Sequence, residues 1–159
     1  MNTLYVRDGD EYREADAEDV FACAQAFMAR RFRRGAPVLN APAQTREFLR
    51  MHLGNRDCEM FGIIHVNTRQ RLIHVQDLFP GTIDGAVVHP REVVKAALAR
   101  NAAGVICYHN HPSGVAEPSQ ADELITRRLR EALALVDIRL LDHLIVGETI
   151  YSFAEAGRL

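Results

Sequence analysis

The chain has 159 residues, and 48% of them are hydrophobic, enough for one ordinary core and not for two. A net charge of −2 excludes an overall electrostatic draw toward nucleic acid or an anionic membrane. No apolar run is long enough to span a bilayer, and the polar, acidic stretch from Met1 to Asp19 has no signal-peptide core, so a soluble cytoplasmic protein is expected.

Residues up to about Ala15 read as loose or as an edge strand. Asp16 caps a helix running to about Arg34, with Val20, Cys23, Ala24, Phe27, Met28 and Phe32 on one face. Glu18 and Asp19 open it. Arg30, Arg31, Arg33 and Arg34 close it, each sign at the end that the helix dipole favours. That role and solvation account for the arginines better than nucleic-acid binding does. Gly35 to Ala41 is a linker. It divides the chain into an N-terminal helical extension, 1–41, and a main domain, 42–159. A second helix spans about Pro42 to Leu53 and buries Phe48 and Leu49. Two strands follow, Cys58–Val66 and Arg71–Phe79, the first apolar on both faces and therefore central.

Pro90 suits the first turn of a helix reaching Asn101, with Val93, Val94, Ala97 and Leu98 inward. Gly104 leads into a strand that ends in His109-Asn110-His111. After a loop, a helix runs from Ser119 to about Leu135 with Ala121, Leu124, Ile125, Leu129, Ala132, Leu133 and Val136 as its buried stripe. Arg127, Arg128 and Arg130 fall on its wet face. A hairpin, Ile138–Val146 and Thr149–Phe153, closes the chain. The order predicts an α/β (α+β) fold, one mixed sheet flanked by helices. Cys23, Cys58 and Cys107 have no paired spacing. Cys58 and Cys107 lie in apolar runs, which predicts buried free thiols in a reducing compartment.

The chemistry gathers at the end of the histidine strand. Side chains at i and i+2 of a strand point the same way, so His109 and His111 converge. Pro112, Gly114 and Pro118 force a loop. Ser119 then caps the next helix and puts Asp122 in its first turn. Two imidazoles and one carboxylate leave a fourth position for water, the pattern of a catalytic zinc site. Such a site needs a carboxylate base that is not itself a ligand. Glu59, at the start of the first apolar strand, is the best placed; an exposed glutamate at a strand edge reads equally well. Glu92, Glu117 and Glu123 are weaker choices on helix or loop surfaces. His143 either supports the site from a neighbouring strand or is a packed core histidine. His52, His65, His74 and His89 lack ligand spacing and read as structural or surface residues.

The spacing His109-x-His111-(seven residues)-Ser119-x-x-Asp122 resembles the JAMM motif of the MPN metalloprotease superfamily. The wording Y-H-N-H-P-S-G-V-A-E-P-S is similar to the bacterial RadC branch. So are Gly81-Thr-Ile-Asp-Gly85, His89-Pro-Arg-Glu-Val-Val94 and Leu140-Leu-Asp-His-Leu-Ile-Val-Gly147. The resemblance covers about Pro42 to the C-terminus and implies the MPN/JAMM (cytidine-deaminase-like) architecture. It implies Zn²⁺ on His109, His111 and Asp122, with Glu59 as general base and Ser119 as oxyanion donor. The implied activity is hydrolysis of peptide or isopeptide bonds in a peptide or protein substrate.

RadC proteins also carry a DNA-repair label, so a repair-associated or nucleic-acid-processing accessory role is the alternative. The region before Pro42 is too short for the helix-hairpin-helix domain of longer members and lacks its glycine signature. With the near-neutral charge, this predicts weak nucleic-acid binding or none. A binding module with a purely structural metal is a third reading. The open coordination position and Glu59 argue against it. Substrate and oligomeric state are not legible.

Overall fold

The computed structural model describes residues 3–31, 34–35, 42–54, 56–82 and 86–159. Several expectations lie outside the described residues: most of the 35–41 linker, Phe32, Arg33, the side chains of Met28 and Arg31, and 83–85 of the Gly81–Gly85 motif.

The chain opens with a hairpin, β1 (Tyr5–Asp8) and β2 (Glu11–Glu14), where the sequence suggests loose chain or one edge strand. Helix α1 (Ala17–Arg31) follows, with Asp19 bonded to Arg13 of β2 through two hydrogen bonds. Its apolar face is not buried: Val20 is 42% and Phe27 55% exposed. The reason is position: among the described residues, α1 packs chiefly beside α2 (Pro42–Leu53).

The main sheet has five strands in the order β4-β3-β5-β6-β7. They are β3 (Met60–Val66), β4 (Leu72–Pro80), β5 (Gly104–Asn110), β6 (Arg139–Val146) and β7 (Ile150–Ser152). Only β5 and β6 are parallel, so the sheet is mixed as expected. β3 and β5 are buried along nearly their whole length, which explains their unbroken apolar runs. Helix α2 covers one face through Leu49 and Leu53, packed on Ile64, Ile106 and Leu144. Helices α3 (Pro90–Ala99) and α4 (Gln120–Ala134) cover the other through Val93, Ala97, Leu129 and Leu133.

Three details differ from the sequence reading. Cys58 is exposed, because β3 begins only at Met60 and Cys58 sits in the bend before it; Cys107 is buried as expected. Leu98 is 52% exposed on α3, beyond the reach of the sheet. The buried stripe of α4 is Asp122, Thr126, Leu129 and Leu133, whereas Ala121 and Leu124 face outward. The helix is turned so that a carboxylate and a hydroxyl face inward, which apolar periodicity does not anticipate.

On the α2 face, Asp77 ties three elements together. It accepts from Tyr108 Oη at 2.7 Å, from Arg56 at 2.7 Å, and pairs with His52 Nε2 at 2.8 Å. His52 is thus structural, as predicted. Gly62 lies under Tyr108: a Cβ there would stand 2.4 Å from the ring.

His65 is fully buried, and neither ring nitrogen has a hydrogen bond of normal geometry. Burial lowers its pKa to about 4, helped by the charges of His74 and Arg100 and opposed weakly by Gln76. The unfolded chain takes up this proton near pH 6.5, the folded chain only near 4. Stability is therefore full above pH 6.5 and falls as pH drops toward 4, by roughly 3 kcal/mol in all. Chemical denaturation of the wild type at pH 7 and pH 4.5 should show that loss, and His65→Leu should lose markedly less. Equal losses in the two proteins would remove His65 as the cause.

Candidate metal centre

The site forms where β5 ends and α4 begins. His109, the penultimate residue of β5, is 1% exposed; His111 follows the strand. Ser119 caps α4: its Oγ accepts from Asp122 N–H at 3.2 Å, and Asp122 Oδ2 accepts from Ser119 N–H at 2.8 Å and Oγ–H at 2.6 Å. This capping box fixes Asp122 with Oδ1 left over, 3.2 Å from His109 Nε2. His111 Nε2 lies 2.9 Å from His109 Nε2 and 3.6 Å from Asp122 Oδ2. The donor atoms of the three residues all fall within 4.8 Å of one another.

The surrounding hydrogen bonds decide which ring nitrogens carry protons. Thr126 Oγ–H donates to the Asp122 carbonyl, so Thr126 Oγ accepts from His143 Nδ1–H at 2.6 Å. His143 Nε2 is then an acceptor, and His109 Nδ1–H donates to it at 2.8 Å. His111 Nδ1–H donates to the Val115 carbonyl at 2.7 Å. Both Nε2 atoms are thereby left with lone pairs aimed at one point, beside an ionised carboxylate. Such crowding of lone pairs asks for a cation. Two imidazoles and a carboxylate suit zinc among the common divalent metals. The residues present therefore fit a metal ion.

The electrostatics agree. Burial pushes the Asp122 carboxyl up, but the close imidazoles of His109 and His111 and the hydrogen bonds from Ser119 outweigh it and hold the group well below the usual carboxylate range. The carboxylate of Asp122 beside it raises the pKa of His111, favouring a second proton on the ring when no cation is bound. Burial keeps His143 neutral, its pKa well below the ordinary value. His143 is stacked on Phe153 with ring centroids 5.1 Å apart and meets Phe61 edge-on. Both readings that the sequence leaves open meet here: His143 is a packed, hydrogen-bonded core histidine, and its bond to His109 Nδ1 orients that ring.

A cleft of about 380 Å³ opens on the triad, lined by Glu59, Phe61, Val88, His111, Ser119 and Asp122 among others. Glu59 sits one residue before β3. Its N–H donates to Thr82 C=O and its C=O accepts from Gly81 N–H. The peptide groups on either side are gripped by Asn110, whose Oδ1 accepts from Met60 N–H at 2.8 Å and whose Nδ2 donates to Cys58 C=O at 3.1 Å. Glu59 is thus held from both sides, next to His111. The other carboxylates considered from sequence do not line this cleft. Glu92 pairs with Lys95, Glu123 with Arg158, and Glu117 lines a separate groove beside Glu148.

Sequence reasoning missed Asn110 and Thr126. Their only signal was position: one stands between the two histidines, the other one helical turn after Asp122.

The ligand loop is braced from β6. His111 N–H donates to Val146 C=O, and Glu148 N–H to Gly114 C=O at 2.7 Å. A Cβ on Gly147 would stand 2.2 Å from the Gly114 carbonyl oxygen, and backbone cannot yield as a side chain can. Gly147→Ala should cost about 1–3 kcal/mol of stability. By displacing the loop that carries His111 it should weaken metal binding about 10- to 100-fold. Competition against a chromophoric chelator measures the second effect; wild-type affinity in the variant would show that the loop tolerates the shift.

Residues 39–158 match the family of RadC-like JAB domains. The chain belongs to that family. Curated relatives of this RadC-like JAB protein include UPF0758 proteins from three bacteria. That of Thioalkalivibrio sulfidiphilus is 52% identical over 145 residues, covering 91% of this chain and 65% of its own length. That of Halorhodospira halophila is 50% identical over 159 residues, covering 99% and 70%. That of Vibrio cholerae is 49% identical over 141 residues, covering 89% of each. The chain thus spans less than two thirds of the Thioalkalivibrio relative. The name UPF0758 states no activity. Among the described residues, no helix is long and apolar enough to cross a membrane.

Proposed function

We propose that the protein is a zinc-dependent hydrolase that cleaves peptide or isopeptide bonds. One observation carries this reading: two imidazole lone pairs and a free carboxylate oxygen converge at the floor of a cleft that also holds a non-ligand glutamate. His109, His111 and Asp122 would hold the metal. When bound, zinc supplies Lewis acidity, which makes water acidic near neutral pH and polarises a carbonyl.

The rest falls to the chain's own residues. Glu59 takes the proton that the attacking water gives up and passes it to the leaving amine. Asn110 holds Glu59 in register for both transfers. His143 and Thr126 keep a lone pair on His109 Nε2. Ser119 holds Asp122 Oδ2; turned toward the cleft, the same hydroxyl donates to the developing oxyanion. Phe61 and Val88 keep one side of the cleft apolar, which strengthens these polar contacts.

The test is cleavage of a peptide library and of isopeptide-linked lysine peptides by chelator-stripped protein with zinc restored. Zinc-dependent products that disappear in Glu59→Gln are expected. Absence of cleavage by zinc-replete wild type across both libraries would count against the reading.

A further inference from the structure

Helix α4 presents two different strips. Asp122, Thr126, Leu129 and Leu133 face the sheet. Ala121, Leu124, Ile125 and Arg128 recur at the i, i+3, i+4, i+7 spacing of one helical face, and all four line the cleft that holds Glu59, His111 and Asp122. Ala121 and Leu124 are exposed there, Leu124 by 45%. They have the periodicity of core residues but serve as a cleft wall, with Ala86 and Val88 also lining it.

The strip ends in a cation that no described residue neutralises. Arg128 is exposed and has no ion pair or hydrogen bond with any described residue. Its neighbours Arg127 and Arg130 line a separate groove with Arg158, so Arg128 is the one α4 arginine that lines this cleft. Glu59 and Asp122, the carboxylates that line the cleft among the described residues, lie at the triad end. The cleft therefore runs from the triad, over an apolar wall, to a positive end at Arg128.

We propose that Arg128 recognises a carboxylate of the substrate, two or three residues from the bond cut. This rests on the hydrolase reading above and narrows its substrate class to short apolar peptides bearing a negative charge. Arg128 lies six steps along the helix from Asp122, an axial rise of about 9 Å. An extended peptide covers that span in two to three residues at about 3.3 Å each. A basic substrate group at the same place would face Arg128 and be repelled. The carboxylate is either a free C-terminus or an acidic side chain; the chemistry of recognition is the same.

The test uses the full chain as Glu59→Gln, zinc-loaded, so that peptides bind without being cut. The probes are fluorescein-labelled hexapeptides of alanine and leucine. One set carries a single Glu or Gln at each position; another ends in a free carboxylate or an amide. Anisotropy titration should show the charged member of each pair, at its best position, binding about three to ten times tighter than its neutral match. Adding Arg128→Gln should reduce that advantage to within twofold, Arg128→Glu should reverse it, and 0.5 M salt should shrink it. Which set shows the preference tells the C-terminus from the side chain. A preference unchanged by Arg128→Gln would overturn the proposal, as would equal binding of all matched pairs or no binding at millimolar peptide. The same peptides given to zinc-loaded wild type separate this inference from the reading it rests on. Arg128-dependent binding without cleavage defeats the hydrolase alone; cleavage without charge preference defeats the role of Arg128 alone.

Discussion

Asp122→Ala should fold and carry less than a tenth of the zinc bound by the wild type. Asp122 supplies the only charged donor of the triad, and neutral imidazoles alone bind weakly. Its carboxyl is held well below the usual range by the histidines and Ser119, so it is ionised and ready throughout the neutral region. The substitution has a second consequence. Ser119 N–H and Oγ–H both lose their acceptor, and α4 loses half of its capping box. A stability loss of about 0.5–2 kcal/mol is therefore expected even without metal. Asp122→Asn separates the two effects, because its carboxamide oxygen can still accept from Ser119 while being a poor metal ligand. Elemental analysis gives the zinc content. Thermal unfolding with and without zinc gives the coupling, about 2.7 kcal/mol of added stability when free zinc is a hundredfold above its dissociation constant. Zinc contents equal in the wild type and both variants would remove the assignment.

The triad was legible in the sequence because each of its constraints is local. A strand end fixes His109 against His111 by alternation, and a helix cap fixes Ser119 against Asp122 by hydrogen bonding. Both are statements about residues a few positions apart. What the sequence left open, for His143, or missed, for Asn110, depends on residues brought together by the sheet. His143 is 34 residues from His109, and only the parallel pairing of β5 with β6 puts its ring against His109 Nδ1. Asn110 grips Met60 across 50 residues, through the antiparallel pairing of β5 with β3.

Hydrophobic periodicity placed α4 correctly and found Ile125, Leu129, Leu133 and Val136 of its inward side, but it also took in Ala121 and Leu124, which line a cleft and not the core, and passed over Asp122 and Thr126. For the same reason an exposed face on α1 looked like a buried one: periodicity reports amphipathicity, not what covers the apolar side. Cys58 was misplaced by two residues of strand boundary, the least determinate feature of any strand.

Glu59→Gln should keep its zinc and lose hydrolysis by about 10²–10⁴-fold, the usual worth of a general base. The side chain keeps its shape, and Glu59 is not one of the converging donors, so metal content is unaffected. Asn110 gives the assignment a second handle. It contacts the peptide groups on either side of Glu59 and lies on the opposite face of β5 from His109, so it acts on the reaction only by aiming Glu59. Asn110→Ala should therefore leave zinc near wild type and lower kcat with little change in KM, by up to about 10²-fold if the carboxylate shifts by 1 Å. In the Glu59→Gln background the same substitution should cost almost nothing further, because the group it positions is no longer a base. Independent, multiplying losses in the double variant would show that Asn110 supports the fold and not the base. A folded, zinc-loaded Glu59→Gln protein turning over a confirmed substrate at the wild-type rate would remove Glu59 itself. Neither Glu117 nor Glu123 could then replace it from where they stand, one in a separate groove and the other paired with Arg158, and the proton would have to leave directly to solvent.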